Sequence, residues 1–191
     1  MEPRLLRILQ LEVVKQCQFA IMAIEDLENA LKSMNEGTLP NGMTRIWYSI
    51  QAFLIATGNL SKLLWPPIPI ILERGSELRA SLSVEDNSCL QPRTFRNHFE
   101  HYDQRLEEFF LSLEPPNFSY IDGNVSPGGI QSLASHVDEK WALRHFDPET
   151  WAFLFRGEPV HLEPLVTAIC ELLPKSEKES HQLVFPKSRP R

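Results

Sequence analysis

The sequence predicts a mostly α fold: a four- or five-helix bundle, then a small antiparallel β-meander, then a C-terminal helix. Three observations predict it. Apolar residues recur every three or four positions over long stretches of the first 113 residues. Pro- and Gly-rich breaks, EGTLPNG at 36–42 and WPPIP at 65–69, separate those stretches. After Lys140 the pattern changes to short aromatic or β-branched runs split by DPE and RGE.

Taken in order, Leu6, Leu9, Val13, Cys17, Ala20, Ile24, Leu27, Leu31 and Met34 keep one face of a helix from about Arg4 to Met34. Gly37 and Pro40 end it. A second helix runs from about Met43 to Leu64, striped by Ile46, Ile50, Phe53, Thr57, Leu60 and Leu64. Trp47, Leu54, Ile55 and Leu63 make it apolar on most sides, which places it centrally. Gly58 permits a close helix contact there. WPPIP breaks that helix, and a short one follows from about Ile70 to Leu82 with Ile71, Leu78 and Leu82 inward. Arg74 and Arg79 read as plain surface arginines on it, in preference to a supply of positive charge to a neighbouring cleft.

Cys89 to Leu113 reads as a single amphipathic helix with Pro92 in its first turn. Phe95, Phe99, Tyr102, Leu106, Phe109 and Leu113 form its buried stripe. EPPNFSYIDGNVSPGG reads as a loop, and 130–137 as a short helix. KWALRHF, TWAFLF and PVHL form the meander, and EPLVTAICELL at 163–173 the closing helix. The expected organisation is a bundle over 1–113, a meander and helix over 114–175 packed on it in the same domain, and a flexible tail over 176–191.

Composition narrows the function. Hydrophobic residues make up 42% of the 191, enough for a real core and too many for wholesale disorder. A net charge of −6 excludes a protein dedicated to coating nucleic acid, which carries a basic surface, though not a nuclease with a local basic cleft. Cys17, Cys89 and Cys170 are odd in number, far apart and without a CxxC pair. Cys17 and Cys170 lie on apolar faces, so buried free thiols in a reducing cytoplasm are expected. The first residues lack an apolar signal core, and the run Ile46–Trp65 carries Gln51, Asn59 and Lys62. That run reads as a buried helix, not a membrane span.

Polar groups crowd beside the 89–113 stripe, and the sharpest pattern among them is RNHFEH. It sets Arg96, Asn97 and His101 in an Arg-polar-x-x-x-His arrangement. The spacing resembles the RX4–6H motif of the HEPN superfamily, compact helical domains that include metal-independent ribonucleases of toxin–antitoxin, CRISPR and phage-defence systems. The likeness covers residues 1–113. It implies a proton-transfer role for His101, positioning and neutralisation of the scissile phosphate by Arg96, and assistance from Asn97. It also implies RNA as substrate, no cofactor or metal, a homodimer, and a protein partner such as an antitoxin. A second reading stays open: a HEPN-like module that binds a partner protein or a nucleotide without cleaving.

The chemistry is sensible in its own right. Cleavage of RNA by its 2′-hydroxyl calls for a base that titrates near neutrality, and imidazole does. The phosphorane-like charge calls for a fixed cation, and guanidinium offers a planar fork to phosphate oxygens. The overlapping pair Arg93/His98 has the same spacing; Arg96/His101 is preferred because Asn97 fills the polar position and Phe95 and Phe99 set both groups beside the core. On one continuous helix Arg96 and His101 stand roughly 140° apart, a separation that a helix distortion or a symmetric dimer would overcome.

Other chemistry is weaker. Arg156/His161 repeats the spacing but falls in the expected hairpin. His98 and His101 share a flank, yet Glu100 and Asp103 point away, and no second helix offers an HxxE or HxxH partner for a metal. Cys89 lacks a Cys/His signature, and no G-x-S-x-G elbow or phosphate loop occurs. His145 and His161 read as structural, and Trp141, Trp151, Phe153 and Phe155 as the face that packs the meander on the bundle.

Overall fold

The computed structural model describes residues 1–38, 41–68, 72–92, 101–113, 120–128 and 141–181. Helix α1, Pro3–Asn35, starts with Pro3, whose missing N–H is one the first turn leaves unpaired anyway. The Glu2 carboxylate accepts from the Leu5 amide at 2.9 Å. Helix α2, Gly42–Leu64, returns antiparallel to α1, with Gly42 against Met34 at one end and Asn59 donating to Gln16 Oε1 at 3.1 Å further along. Val13, Cys17, Ala20 and Leu27 of α1 meet Ile46, Ile50, Phe53 and Leu60 of α2 in the core. Both helices match the expected ranges to within a residue or so.

Helix α3, Leu72–Ser81, seals the end of α2. Gly75 lies so close to Pro66 and the Leu64 carbonyl that a Cβ there would stand 2.8 Å from that oxygen. Arg79 Nη1 donates to the Leu64 carbonyl at 2.6 Å, and Arg74 Nη2 reaches the carbonyls of Lys62 and Leu63 at 3.4 and 3.5 Å. The expectation of plain surface arginines is therefore corrected. The last carbonyls of a helix have no partner within it and carry negative dipole charge, and these two guanidinia satisfy them.

A single helix over Cys89–Leu113 is corrected too. Ser88 to Gln91 forms a turn closed by the Gln91 amide on the Ser88 carbonyl, and Gln91 and Pro92 are not helical. The helix here is α4, Tyr102–Ser112, which begins after His101. Phe109 and Leu113 are buried, with Tyr102 and Leu106 packed beside the core.

Among the described residues four strands follow: β1 (Asn124–Val125), β2 (Arg144–Asp147), β3 (Ala152–Phe155) and β4 (Glu158–His161), paired in that order. β2, β3 and β4 make the expected antiparallel meander. β1 adds a parallel edge, Asn124 opposite His145, inside a segment expected to be loop. Asp147 Oδ1 accepts from the Glu149 and Thr150 amides and closes the first turn. Arg156 and Gly157, both at positive φ (52° and 78°), form the second, a two-residue loop whose twist suits the hairpin. Phe146, Phe153 and Phe155 are fully buried, and Trp141 and Trp151 pack against the core, as the packing reading expects.

Helix α5, Leu162–His181, lies on α1 and outruns the expected end at 173. Residues 176–181 of the expected flexible tail are helical, past Pro174. Ser176 and Ser180 are buried on the face shared with Leu165, Ile169 and Leu172. Their hydroxyls donate to the carbonyls of Leu172 and Glu177, which is why polar residues tolerate the interface. Cys17 is buried, whereas Cys170 is exposed, against expectation. No helix of the described residues is long and apolar enough to cross a membrane.

Candidate functional site

His101 stands at the head of α4, with backbone angles φ −120° and ψ 39° that lie outside the helix. Its side chain is exposed, and its carbonyl accepts from the Arg105 amide at 2.9 Å. Arg96 and Asn97, with Arg93, His98 and Glu100, lie outside the described residues. Since α4 starts after His101, the 140° separation reckoned for one continuous helix does not carry across it.

The described neighbourhood of His101 is reached through Tyr102, which packs among residues of α2, β2, β3 and the approach to β1. Next in the chain, the Tyr102 ring meets Phe155 of β3 with ring centres 6.3 Å apart. The Arg144 guanidinium lies 5.8 Å from the Tyr102 ring centre and 5.7 Å from that of Trp47. Asp122 grips the same guanidinium through two 2.7 Å hydrogen bonds, and Trp47 Nε1 donates to the Gly123 carbonyl at 2.8 Å. The hydrogen bonds that Arg144 donates to Asp122 raise the Arg144 pKa, so the guanidinium stays charged within that pair.

About two turns along α4, Glu108 collects three donors. Its Oε2 accepts from Arg105 Nη1 at 2.9 Å and Arg156 Nη1 at 2.8 Å, and its Oε1 from Gln104 at 2.9 Å. Hydrogen bonds from Arg156, Arg105 and Gln104 pull its carboxyl down to about 2. Arg105 with Glu108 is a spacing of three that the sequence displays on one helix face. Arg144 with Asp122 and Arg156 with Glu108 join residues 22 and 48 apart, and no local signal could have found them.

The remaining candidates differ in burial. His145 is fully buried within β2, Nδ1 3.1 Å from Asn124 Nδ2, and burial lowers its pKa even though Asp147 opposes the shift. His161 is exposed at the end of β4, at the opposite end of that strand from the turn holding Arg156. Cys89 Sγ donates to the Pro164 carbonyl at 3.4 Å, and burial raises its thiol pKa, which disfavours a nucleophilic thiolate. Among the described residues no group of three or more His, Cys, Asp or Glu side chains could hold a metal; His98 and Glu100 of the weighed metal set lie outside them.

Searches with the chain against protein-family models, curated proteins and solved structures each return no match.

Proposed function

We propose that this chain is a metal-independent endoribonuclease of the HEPN type, acting in a defence or toxin system, with Arg96, Asn97 and His101 as its catalytic residues. His101 takes the proton of the 2′-hydroxyl, whose oxygen attacks the adjacent phosphorus. The 5′-oxygen leaves with a proton from His101 of a second copy, giving a 2′,3′-cyclic phosphate and a 5′-hydroxyl. Arg96 carries the charge that builds on the phosphorane, and Asn97 assists it. A symmetric dimer brings the two imidazoles to one cleft.

One observation carries the reading: His101 is exposed at the head of α4, while His145 is fully buried in β2. A polymer can reach the first and not the second. Incubating purified protein with mixed RNA in EDTA tests it. Cutting by wild type that His101→Ala abolishes supports the assignment, and loss in His98→Ala instead moves the motif to Arg93/His98.

The net charge of −6 favours a second reading, a HEPN-like module that binds a partner protein or a nucleotide without cleaving. Phe19, Met22, Tyr48 and Ile55, all exposed around a groove of about 590 Å³ between α1 and α2, offer such a module an apolar face. RNA left intact by wild type in the same incubation selects it.

A further inference from the structure

We infer that Arg105 and Arg156 form a phosphate-binding subsite one helix turn from His101. The inference rests on the nuclease reading only in its choice of RNA as the strand that supplies the phosphate.

Both guanidinia converge on a single oxygen, Glu108 Oε2, at 2.9 and 2.8 Å. Their Nη1 atoms can be no further apart than those two distances combined, a span that one phosphate bridges with two oxygens. Within this trio two side chains are positive and one negative, a surplus of one. That surplus sits on a chain whose net charge is −6. The side chains of Arg105, Arg156 and Glu108 are 35%, 27% and 37% exposed, so an anion can reach the pair without unfolding anything.

Position points to the same use. The Arg105 amide bonds the His101 carbonyl, which sets Arg105 one turn beyond His101 along the chain. Arg156 stands at φ 52° in the first position of a two-residue hairpin turn, where Asn, Asp or Gly fit with less strain. An arginine held there against backbone preference delivers its guanidinium across 48 residues of chain to α4. Glu108 then acts as the clamp that holds two like charges together until a phosphate shares them.

The bland counterpart is an ion-pair staple between the hairpin and α4, and the two differ in what the carboxylate does. The test follows the anisotropy of a fluorescein-labelled single-stranded RNA titrated with the full chain in EDTA over a range of salt concentrations. The variants are Arg105→Gln, Arg156→Asn and Glu108→Gln, with thermal melts alongside; Asn suits the turn, so Arg156→Asn keeps the hairpin. Each arginine variant should weaken binding several-fold and flatten the salt dependence by roughly 0.7 in log–log slope. Glu108→Gln should melt lower yet bind RNA more tightly. Arginine variants with wild-type affinity and slope would overturn the subsite. So would weaker binding by Glu108→Gln, or a wild type that binds no RNA at low salt. RNA bound through these arginines but never cut removes the nuclease reading and leaves the subsite. RNA cut normally by both arginine variants, with unchanged binding, does the reverse.

Discussion

Asp122 accepts from Arg144 Nε and Nη2 at 2.7 Å each, and that grip sets the guanidinium against both Trp47 and Tyr102. Four elements meet there: the β1 approach, β2, α2 and the first turn of α4. The consequence is mechanical, because the head of α4 carries His101.

Removing either partner should loosen that head. Arg144→Ala and Asp122→Ala should each lower unfolding free energy by about 1–2 kcal/mol, the scale of a charge-assisted hydrogen bond plus ring contact. Lysine keeps the charge but not the planar fork, so Arg144→Lys should recover less than half. Urea denaturation of the two single variants and the double variant checks this: the double should cost clearly less than the sum.

Gly75 sets two effects against each other. In an exposed helix interior, Gly→Ala gains about 1 kcal/mol. Here the new Cβ meets the Pro66 ring and stands 2.8 Å from the Leu64 oxygen, so α3 must move off the end of α2. Overpacking of this kind costs about 1–3 kcal/mol. Gly75→Ala should therefore lower the urea midpoint, and a raised midpoint would show that α3 is free to shift.

Stability should fall in two stages on acidification. Burial holds the His145 pKa below its ordinary 6.5, so the unfolded chain binds a proton first. Its contribution is complete above that value and is lost as pH falls towards the lowered one. Glu108 is depressed from 4.5 to about 2 by Arg156, Arg105 and Gln104. Its contribution is present above 4.5 and disappears as pH falls through 2. Asp147 adds to the acid stage: burial pushes its carboxyl up, but the Glu149 and Thr150 amides hold it below its ordinary value. Urea midpoints across pH 8 to 2 measure both stages, with His145→Gln flattening the upper one and Glu108→Gln shrinking the lower.

Ser176 tests the rule that buried positions want apolar side chains. It is fully buried against its neighbours, and its hydroxyl is already satisfied by the Leu172 carbonyl. Ser176→Leu extends the apolar stripe of α5 but forces bulk into a closed contact, at a cost of about 1–3 kcal/mol. Ser176→Ala should be nearly neutral. A more stable leucine variant would mean that α5 lies looser on α1 than the geometry implies.

Those same residues show where the sequence was readable. Helices α1 and α2 were legible almost to their ends because each buries an apolar stripe between clear Pro and Gly stops. The meander was legible because RGE and DPE interrupt short aromatic runs. The last two turns of α5 were not, since Ser176 and Ser180 look like solvent-facing residues until their own helix carbonyls absorb the hydroxyls. β1 escaped because two residues carry no alternation and its pairing partner is 21 positions away. Arg74 and Arg79 looked like surface charge because nothing local reveals the carbonyls of Lys62, Leu63 and Leu64 waiting for them. Of the site, the sequence singled out His101 and its motif; the arginines on Glu108 and the Arg144 grip needed the fold.

End-group analysis of RNA incubated with the purified protein in EDTA bears most directly on the central proposal. Wild type should yield fragments ending in 2′,3′-cyclic phosphate and 5′-hydroxyl, and His101→Ala none. Intact RNA with wild type, or the same fragments from His101→Ala, would contradict it.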